Sequence, residues 1–306
     1  MEGDRKKIIL VALLSIVVIF LLYQILGSLL TLLIFGDKIT QNINNFRLFT
    51  ISSQILFILA PTLIFSKKYL KNLNSEIGFK LIPFKELLIY FIGYFVLFVN
   101  LNNIIYFQNI LINQIIKAVP AINNIKTLLD KNATLIEETY KAILSINSPT
   151  DLLIVFLMVT FTPALCEELF FRGFLQHYLL KAFNFAFSAL VTAFFFSLLH
   201  FDVYGFFPLM LLSLYFSYVV YKSNSIFSSM ILHFTNNLLA LIGSIILKTE
   251  DIFNKSTIDK DLSFNQALIS FIILSIVFIL IILYIEKNHK INNSEEKFSI
   301  DDEKYS

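Results

Sequence analysis

The sequence predicts an all-α protein that crosses a membrane about eight times. Of its 306 residues, 57% are hydrophobic and only 15% are charged, and the mean hydropathy is +0.75, well above that of a soluble domain. The apolar residues come in runs near twenty residues long, which matches the thickness of a bilayer. These runs lack the alternation of a barrel strand, and backbone groups in hydrocarbon must be satisfied within the structure, so helices are expected.

Eight apolar runs are candidate spans, at 8–35, 49–65, 87–107, 152–171, 187–201, 206–221, 227–247 and 267–285. The first run is too long for a signal peptide, so we expect it to remain as an anchor. The spans divide the chain into residues 1–149 with three spans and an extramembrane loop, 150–247 with spans four to seven, and 248–286 with a loop and the last span. The remaining residues, 287–306, are predicted to be a disordered polar tail.

Charge predicts the orientation and excludes one class of partner. With the N-terminus inside, 15 of the 24 Lys and Arg residues fall in inner segments, which predicts cytoplasmic termini at both ends. The high content of Ile, Asn, Lys and Phe indicates an AT-rich genome and a bacterial source. We therefore expect the protein in a bacterial plasma membrane. A net charge of +2 and the lack of basic runs with interleaved aromatics argue against nucleic acid as a partner. The single cysteine, Cys166, excludes an intramolecular disulfide and a multi-cysteine zinc site.

The fourth predicted span contains charged residues that are costly in a bilayer. Glu167, Glu168 and Arg172 follow Pro163, and each charge at a span centre costs at least ~2.5 to 3.5 kcal/mol. Residues four apart share a helix face, so Glu168 is expected to pair with Arg172. Glu167 points about 100° away from Glu168 and is free to face another helix. Glu167 is therefore the candidate catalytic acid, with Glu168 and Arg172 in support.

Two histidines also lie in predicted spans, each four residues from a second polar or aromatic residue. His200 follows Phe196 at the end of the fifth span, and His233 precedes Asn237 in the seventh. A lone intramembrane histidine is as often a helix-joining residue as a catalyst, but three costly groups on three spans favour a common polar pocket. In the predicted topology the two histidines lie at different depths, so a shared site requires a tilted, short or re-entrant helix.

These residues form a suitable set for adding water to an amide carbonyl. Glu167 and His200 would accept the water's protons, while His233 and Asn237 would stabilise the oxyanion. Glu167, His200 and His233 would equally make a ligand set for a divalent metal such as zinc. The residues alone leave direct and metal-assisted activation of water open.

The ordered motifs Glu167-Glu168-x-x-x-Arg172, Phe196-x-x-x-His200 and His233-x-x-x-Asn237 resemble those of the CAAX prenyl protease 2 family, also called the ABI or CPBP intramembrane proteases. The resemblance covers roughly residues 150–247. It implies an intramembrane endopeptidase in which Glu167 and His200 activate water and His233 and Asn237 stabilise the transition state, although a metal-dependent mechanism has also been proposed for the family. The implied partner is a peptide or protein substrate at the bilayer, lipidated in some members.

Family members include eukaryotic enzymes that trim prenylated proteins and bacterial members linked to bacteriocin immunity, peptide maturation or surface-protein display, and the sequence does not choose among their substrates. Two rival interpretations remain: a non-catalytic membrane protein that confers immunity by binding, and a small proton-coupled transporter. The transporter ranks last because neither inverted repeats nor paired Gly- or Pro-broken helices are visible.

Overall fold

A computed structural model describes residues 2–119, 123–246 and 263–303 of the chain, and in these ranges it contains helices and no strand. The prediction of an all-α, multi-spanning membrane protein is confirmed. The helices in chain order are α1 (Asp4–Phe35), α2 (Ile43–Tyr69), α3 (Leu73–Ile77), α4 (Phe84–Ala118), α5 (Asn123–Ile143), α6 (Pro149–Leu180), α7 (Phe185–Leu198), α8 (Phe206–Ser223), α9 (Ile226–Ile246) and α10 (Phe264–Glu303).

Seven of the described helices are long and apolar enough to cross a membrane: α1, α2, α4, α6, α8, α9 and the 264–288 part of α10. The one remaining predicted span, the fifth at 187–201, is instead the 14-residue helix α7. At 1.5 Å per residue α7 is about 21 Å long, shorter than the ~30 Å hydrocarbon core. Asn184 caps its start by accepting a hydrogen bond from the Phe187 amide. The helix ends before His200, so this histidine lies in a loop.

The prolines within α2 and α6 each follow a π-helical turn. The turns are Ile55–Leu59, just before Pro61, and Leu157–Phe161, just before Pro163. Proline has no N–H to donate to the carbonyl four residues earlier, so the helix widens where that bond is missing. A further π-helical segment, Leu169–Gln176, directly follows Glu168. The helix that carries the acidic pair therefore departs from α-helical geometry on both sides of it.

Five inner segments of the predicted topology meet on one face of the bundle. Lys181 Nζ lies 2.5 Å from Glu76 Oε2, and Lys222 Nζ lies 2.7 Å from Glu286 Oε2. The Arg5 guanidinium is 5.9 Å from an aromatic ring in the turn between α6 and α7. The contacts of Lys181 and Arg5 join the N-terminus and α3 to the α6–α7 turn, and the contact of Lys222 joins the ends of α8 and α10. We call the surface formed by these segments the lysine-rich face.

The segment after α3 is fitted tightly to the turn between α8 and α9. Gly78 has φ +78°, and the amide of Ile226 donates to its carbonyl oxygen at 2.9 Å. A Cβ atom added to Gly78 would lie 2.8 Å from the carbonyl oxygen of Asn224. Only glycine accepts both this left-handed backbone and this close approach. The contact joins two connections on the lysine-rich face.

The opposite face is organised around a buried arginine. Arg47 is fully buried, lies 3.6 Å from Asp151 and donates from Nε to the carbonyl oxygen of Ile143 at 2.9 Å. It also donates to the carbonyl oxygen of Ser145. Arg47 thereby ties the end of α5 to the first turns of α2 and α6.

The last helix is joined to α4 by hydrogen bonds between polar side chains. Asn100 Nδ2 donates to Ser275 Oγ at 3.0 Å, and Asn103 Nδ2 donates to Ser270 Oγ at 3.1 Å. Buried amides of this kind join helices in a bilayer. The helix continues to Glu303, through most of the segment 287–306 for which the sequence predicts disorder, and that stretch contains neither Gly nor Pro. Residues 248–262 of the predicted loop lie outside the described residues.

Candidate active site

The acidic pair on α6 points in two directions, as the helical spacing predicts. Glu168 and Arg172 form an ion pair of 2.6 Å in which both side chains are fully buried. Glu167 does not join this pair; its side chain is 17% exposed, and its Oε2 atom has no hydrogen-bond partner. A desolvated carboxylate oxygen without a partner inside a membrane protein is costly, so its retention favours a functional role.

Arg172 is held from the opposite side by α8. Its Nη2 donates to Ser213 Oγ at 2.6 Å and to the Ser213 carbonyl oxygen at 3.1 Å. The guanidinium also lies over the rings of Phe196 and Phe216, at 4.7 and 5.6 Å from their centroids. Cation–π contacts and hydrogen bonds together offset the cost of burying the charge. The guanidinium is thus fixed between α6, α7 and α8.

His233 joins the same buried network from α9. Its Nδ1 lies 2.8 Å from Glu168 Oε1, the oxygen that also receives Arg172. The carboxylate accepts the bond, so Nδ1 carries the hydrogen and Nε2 takes no part in this contact. The histidine is buried, with 4% exposure. We call Glu168, Arg172 and His233 the buried triad.

His200 forms a second pair with Glu167. The His200 Nε2 atom lies 3.9 Å from Glu167 Oε2, too far for a direct hydrogen bond. The Nδ1 atom of His200 is 2.6 Å from the carbonyl oxygen of Phe196, which can only accept, so Nδ1 carries the hydrogen. In the neutral ring Nε2 is then a proton acceptor directed toward Glu167. The His200 side chain is 33% exposed, whereas the Glu167 Oε2 atom is buried.

The Phe196 ring lies close to both imidazoles, that of His200 and that of His233 in the buried triad. Its centroid is 4.6 Å from that of His200 and 5.8 Å from that of His233. Both imidazoles therefore contact the same aromatic ring, although His200 lies in the loop after α7 and His233 lies on α9. In the predicted topology a shared site requires a tilted, short or re-entrant helix, and α7 is a short helix.

Asn237 lies one turn after His233 on α9. Its side-chain oxygen accepts a hydrogen bond from Asn236 Nδ2 at 3.3 Å, and the Tyr94 hydroxyl donates to Asn236 Oδ1 at 3.2 Å. This arrangement uses the oxygen of the Asn237 amide and leaves its Nδ2 as the donor. No hydrogen bond described in the structure joins Asn237 to the other predicted site residues.

The set Glu167, His200 and His233 does not fit a metal ion in this structure. Within the described ranges, no three His, Cys, Asp or Glu side chains are grouped so that they could hold one. The geometric reason is that His233 directs Nδ1 to Glu168, while His200 faces Glu167. The donors are divided into two pairs instead of converging on one point.

Sequence reasoning missed Ser213 and Gln24. Ser213 gives no signal, because a serine in a membrane helix commonly bonds to its own backbone. Gln24 does give one, since an amide well inside the first span needs a partner; its Nε2 donates to the carbonyl oxygen of Leu199 at 2.9 Å. Cys166 is free and fully buried in the apolar core.

Comparison with protein families identifies the part of the chain that contains this site. Residues 149–239 match the model described as type II CAAX prenyl endopeptidase Rce1-like. This segment is similar to the Rce1-like family. The predicted resemblance to the CAAX protease family is confirmed, and the general class is that of a CAAX-type intramembrane protease.

Comparisons with curated proteins and with solved structures give no match. The Rce1-like segment contains α6, α7, α8 and most of α9, and the protein is integral to a membrane.

Proposed function

We propose that the protein is an intramembrane endopeptidase that hydrolyses a peptide bond of a membrane-associated peptide or protein with water activated by Glu167 and His200. The observation that supports this most directly is the 3.9 Å separation between Glu167 Oε2 and His200 Nε2, two acceptors that face each other on side chains that are partly exposed.

In this proposal one water molecule bridges the two acceptors as the nucleophile. A water 2.8 Å from both acceptors would have them at an angle of about 90°, close to the angle between its own hydrogens. It would donate one hydrogen to each acceptor and keep its lone pairs for the substrate carbonyl carbon. As the C–O bond forms, the water's proton passes to one acceptor, and it is later delivered to the leaving amine as the C–N bond breaks.

The remaining predicted residues would act on the carbonyl oxygen. The Asn237 Nδ2 group is the amide donor left over from the Asn236 contact, and the His233 ring offers Nε2. For His233 to donate from Nε2 while Nδ1 bonds to Glu168, its ring must carry both hydrogens. A dry, fixed set of donors stabilises a developing oxyanion more strongly than water does.

We also propose that the lysine-rich face is cytoplasmic, which gives both termini a cytoplasmic location. The support is the enrichment of lysine in cytoplasmic segments. Lys67 and Lys68 lie in the last turn of α2, and Lys71 and Lys80 lie on either side of α3, near this face.

The proposal predicts loss of turnover in Glu167→Gln and His200→Ala variants purified in detergent. A mixture of short peptides, prenylated and unmodified, serves as substrate, and mass spectrometry detects the new termini. Each variant should lower the initial rate by at least about 100-fold, since general-base catalysis contributes about 10² to 10⁴. His177→Ala is the matched control, because this residue lies on the same helix as Glu167 and has no role in the mechanism.

The result that ends the proposal is a Glu167→Gln variant with the same turnover as the parent protein. A cellular effect that persists in both variants would favour the binding protein instead.

A further inference from the structure

The loop that carries His200 is held by the first helix, which lies outside the Rce1-like segment. We propose that Gln24 and Phe20 of α1 are positioning residues that set the distance between His200 and Glu167. This inference rests on the proposed function, because it assigns a role toward the same pair.

Gln24 contacts the residue immediately before His200. Its Nε2 donates to the carbonyl oxygen of Leu199 at 2.9 Å. Leu199 follows the last residue of α7, where carbonyl oxygens lack intrahelical partners. Gln24 satisfies one of these oxygens from a different helix. The side chain that is costly to place in the first span therefore has a specific partner beside the candidate catalytic base.

Phe20 contacts the residue immediately after His200. Its ring centroid is 6.2 Å from that of Phe201. Phe20 and Gln24 are four positions apart and share one side of α1. One side of α1 thus contacts both chain neighbours of His200, one through a hydrogen bond and the other through an aromatic ring.

The backbone at this point needs such support. Phe201 has φ +53°, a left-handed conformation that is unfavourable for a bulky side chain. Strained residues of this kind persist where the surroundings determine their conformation, and they concentrate at functional sites. Beyond Phe201 the loop is held again, because Gln108 Nε2 donates to the Tyr204 carbonyl oxygen at 2.9 Å and the Tyr204 hydroxyl donates to Asp130.

The anchored loop fixes the one distance on which activation of water depends. His200 directly follows Leu199 in the chain, so movement of Leu199 would disturb the bond between His200 Nδ1 and the Phe196 carbonyl oxygen. The ring and its Nε2 would then move relative to Glu167. A displacement of about 1 Å at a reacting group can cost 100-fold in rate. The contacts of Gln24 and Phe20 therefore act on the reaction without touching the substrate.

The test compares Gln24→Met with Thr31→Val in the full-length protein. Methionine keeps the length of glutamine and removes the donor. Thr31 lies on the same helix, and its hydroxyl bonds only within α1, to the Gly27 carbonyl oxygen at 2.9 Å, so its loss leaves the loop unchanged. Peptide cleavage gives kcat and KM. We expect Gln24→Met to lower kcat by about 10- to 100-fold with little change in KM, and Thr31→Val to match the parent protein.

A second readout separates positioning from general loss of structure. The chain has four histidines, so ring-¹⁵N labelling gives few signals, and His200→Ala identifies one of them. Gln24→Met should shift the His200 signal and leave that of His233 in place. If Gln24→Met does not fold, Phe20→Leu is judged by the same two measurements.

The experiment distinguishes a failure of the positioning role from a failure of the proposed function. If the parent protein cleaves, Glu167→Gln does not, and Gln24→Met cleaves at the parent rate or leaves the His200 signal unmoved, the positioning role is wrong and the proposed function stands. If the parent protein and Glu167→Gln cleave alike, the proposed function itself is wrong.

Discussion

Removal of the Arg172 charge tests whether the buried triad determines the stability of the helical bundle. Arg172→Met keeps most of the side-chain volume but removes the ion pair to Glu168 and both hydrogen bonds to Ser213. The Glu168 carboxylate would stay in place, still bonded to Nδ1 of His233. The variant therefore leaves a buried negative charge without the guanidinium that neutralises it.

The size of the effect follows from burial. Both side chains of the pair have 0% exposure, and removing one partner of a buried ion pair costs about 3 to 5 kcal/mol. The double variant Glu168→Gln/Arg172→Met removes the stranded charge as well. It should be more stable than Arg172→Met alone by about 2 kcal/mol, because a neutral amide is less costly to bury than an unpaired carboxylate.

Unfolding in bicelles by added sodium dodecyl sulfate gives the free energy of unfolding. The chain has no tryptophan, so far-UV circular dichroism follows the transition. Lys126→Met is the matched control: Lys126 pairs with Asp130 at the same i,i+4 spacing, but the two side chains are 31% and 44% exposed. Its loss should cost less than about 1 kcal/mol. An Arg172→Met variant as stable as the parent protein, or less destabilised than the double variant, would refute the reasoning.

Two further predictions concern the lysine-rich face. Gly78→Ala should lower the free energy of unfolding by about 1 to 3 kcal/mol, because φ is +78° and Asn224 lies 2.8 Å from the added Cβ; the same bicelle measurement checks it, and an unchanged value would contradict the tight fit. In intact cells a membrane-impermeant maleimide should label Thr139→Cys on α5 but not Lys71→Cys, both of which replace exposed residues. The reverse pattern would invert the proposed orientation, and buried Cys166 keeps the background low.

Several features of the fold follow from local sequence alone. Apolar runs near twenty residues long predict helices because no other open structure satisfies the backbone in hydrocarbon. The Glu168–Arg172 pair follows from a four-residue spacing, and the disturbed helix before Pro163 follows from a missing N–H. The ion pair and the disturbed helix each depend on residues within about one turn of one another.

The boundary of α7 could not be predicted in the same way. The apolar run continues to Phe201, but the helix stops at Leu198 and the chain turns through the left-handed Phe201. Contacts from α1, α4 and α5 hold this turn, and those helices are far away in the chain. Hydropathy reports only where apolar residues lie, so it extended the span to 201.

The sequence by itself determined the membrane-spanning α-helical class and the identity of the polar residues that must find partners, because both follow from the cost of placing polar groups in hydrocarbon. Only the tertiary structure decided which partner each group takes: His233 pairs with Glu168, while Glu167 faces His200 across a gap wide enough for water. That choice depends on the rotation and tilt of helices packed against one another. Contacts between residues distant in the chain, such as Gln24 and Leu199, fix that rotation and tilt.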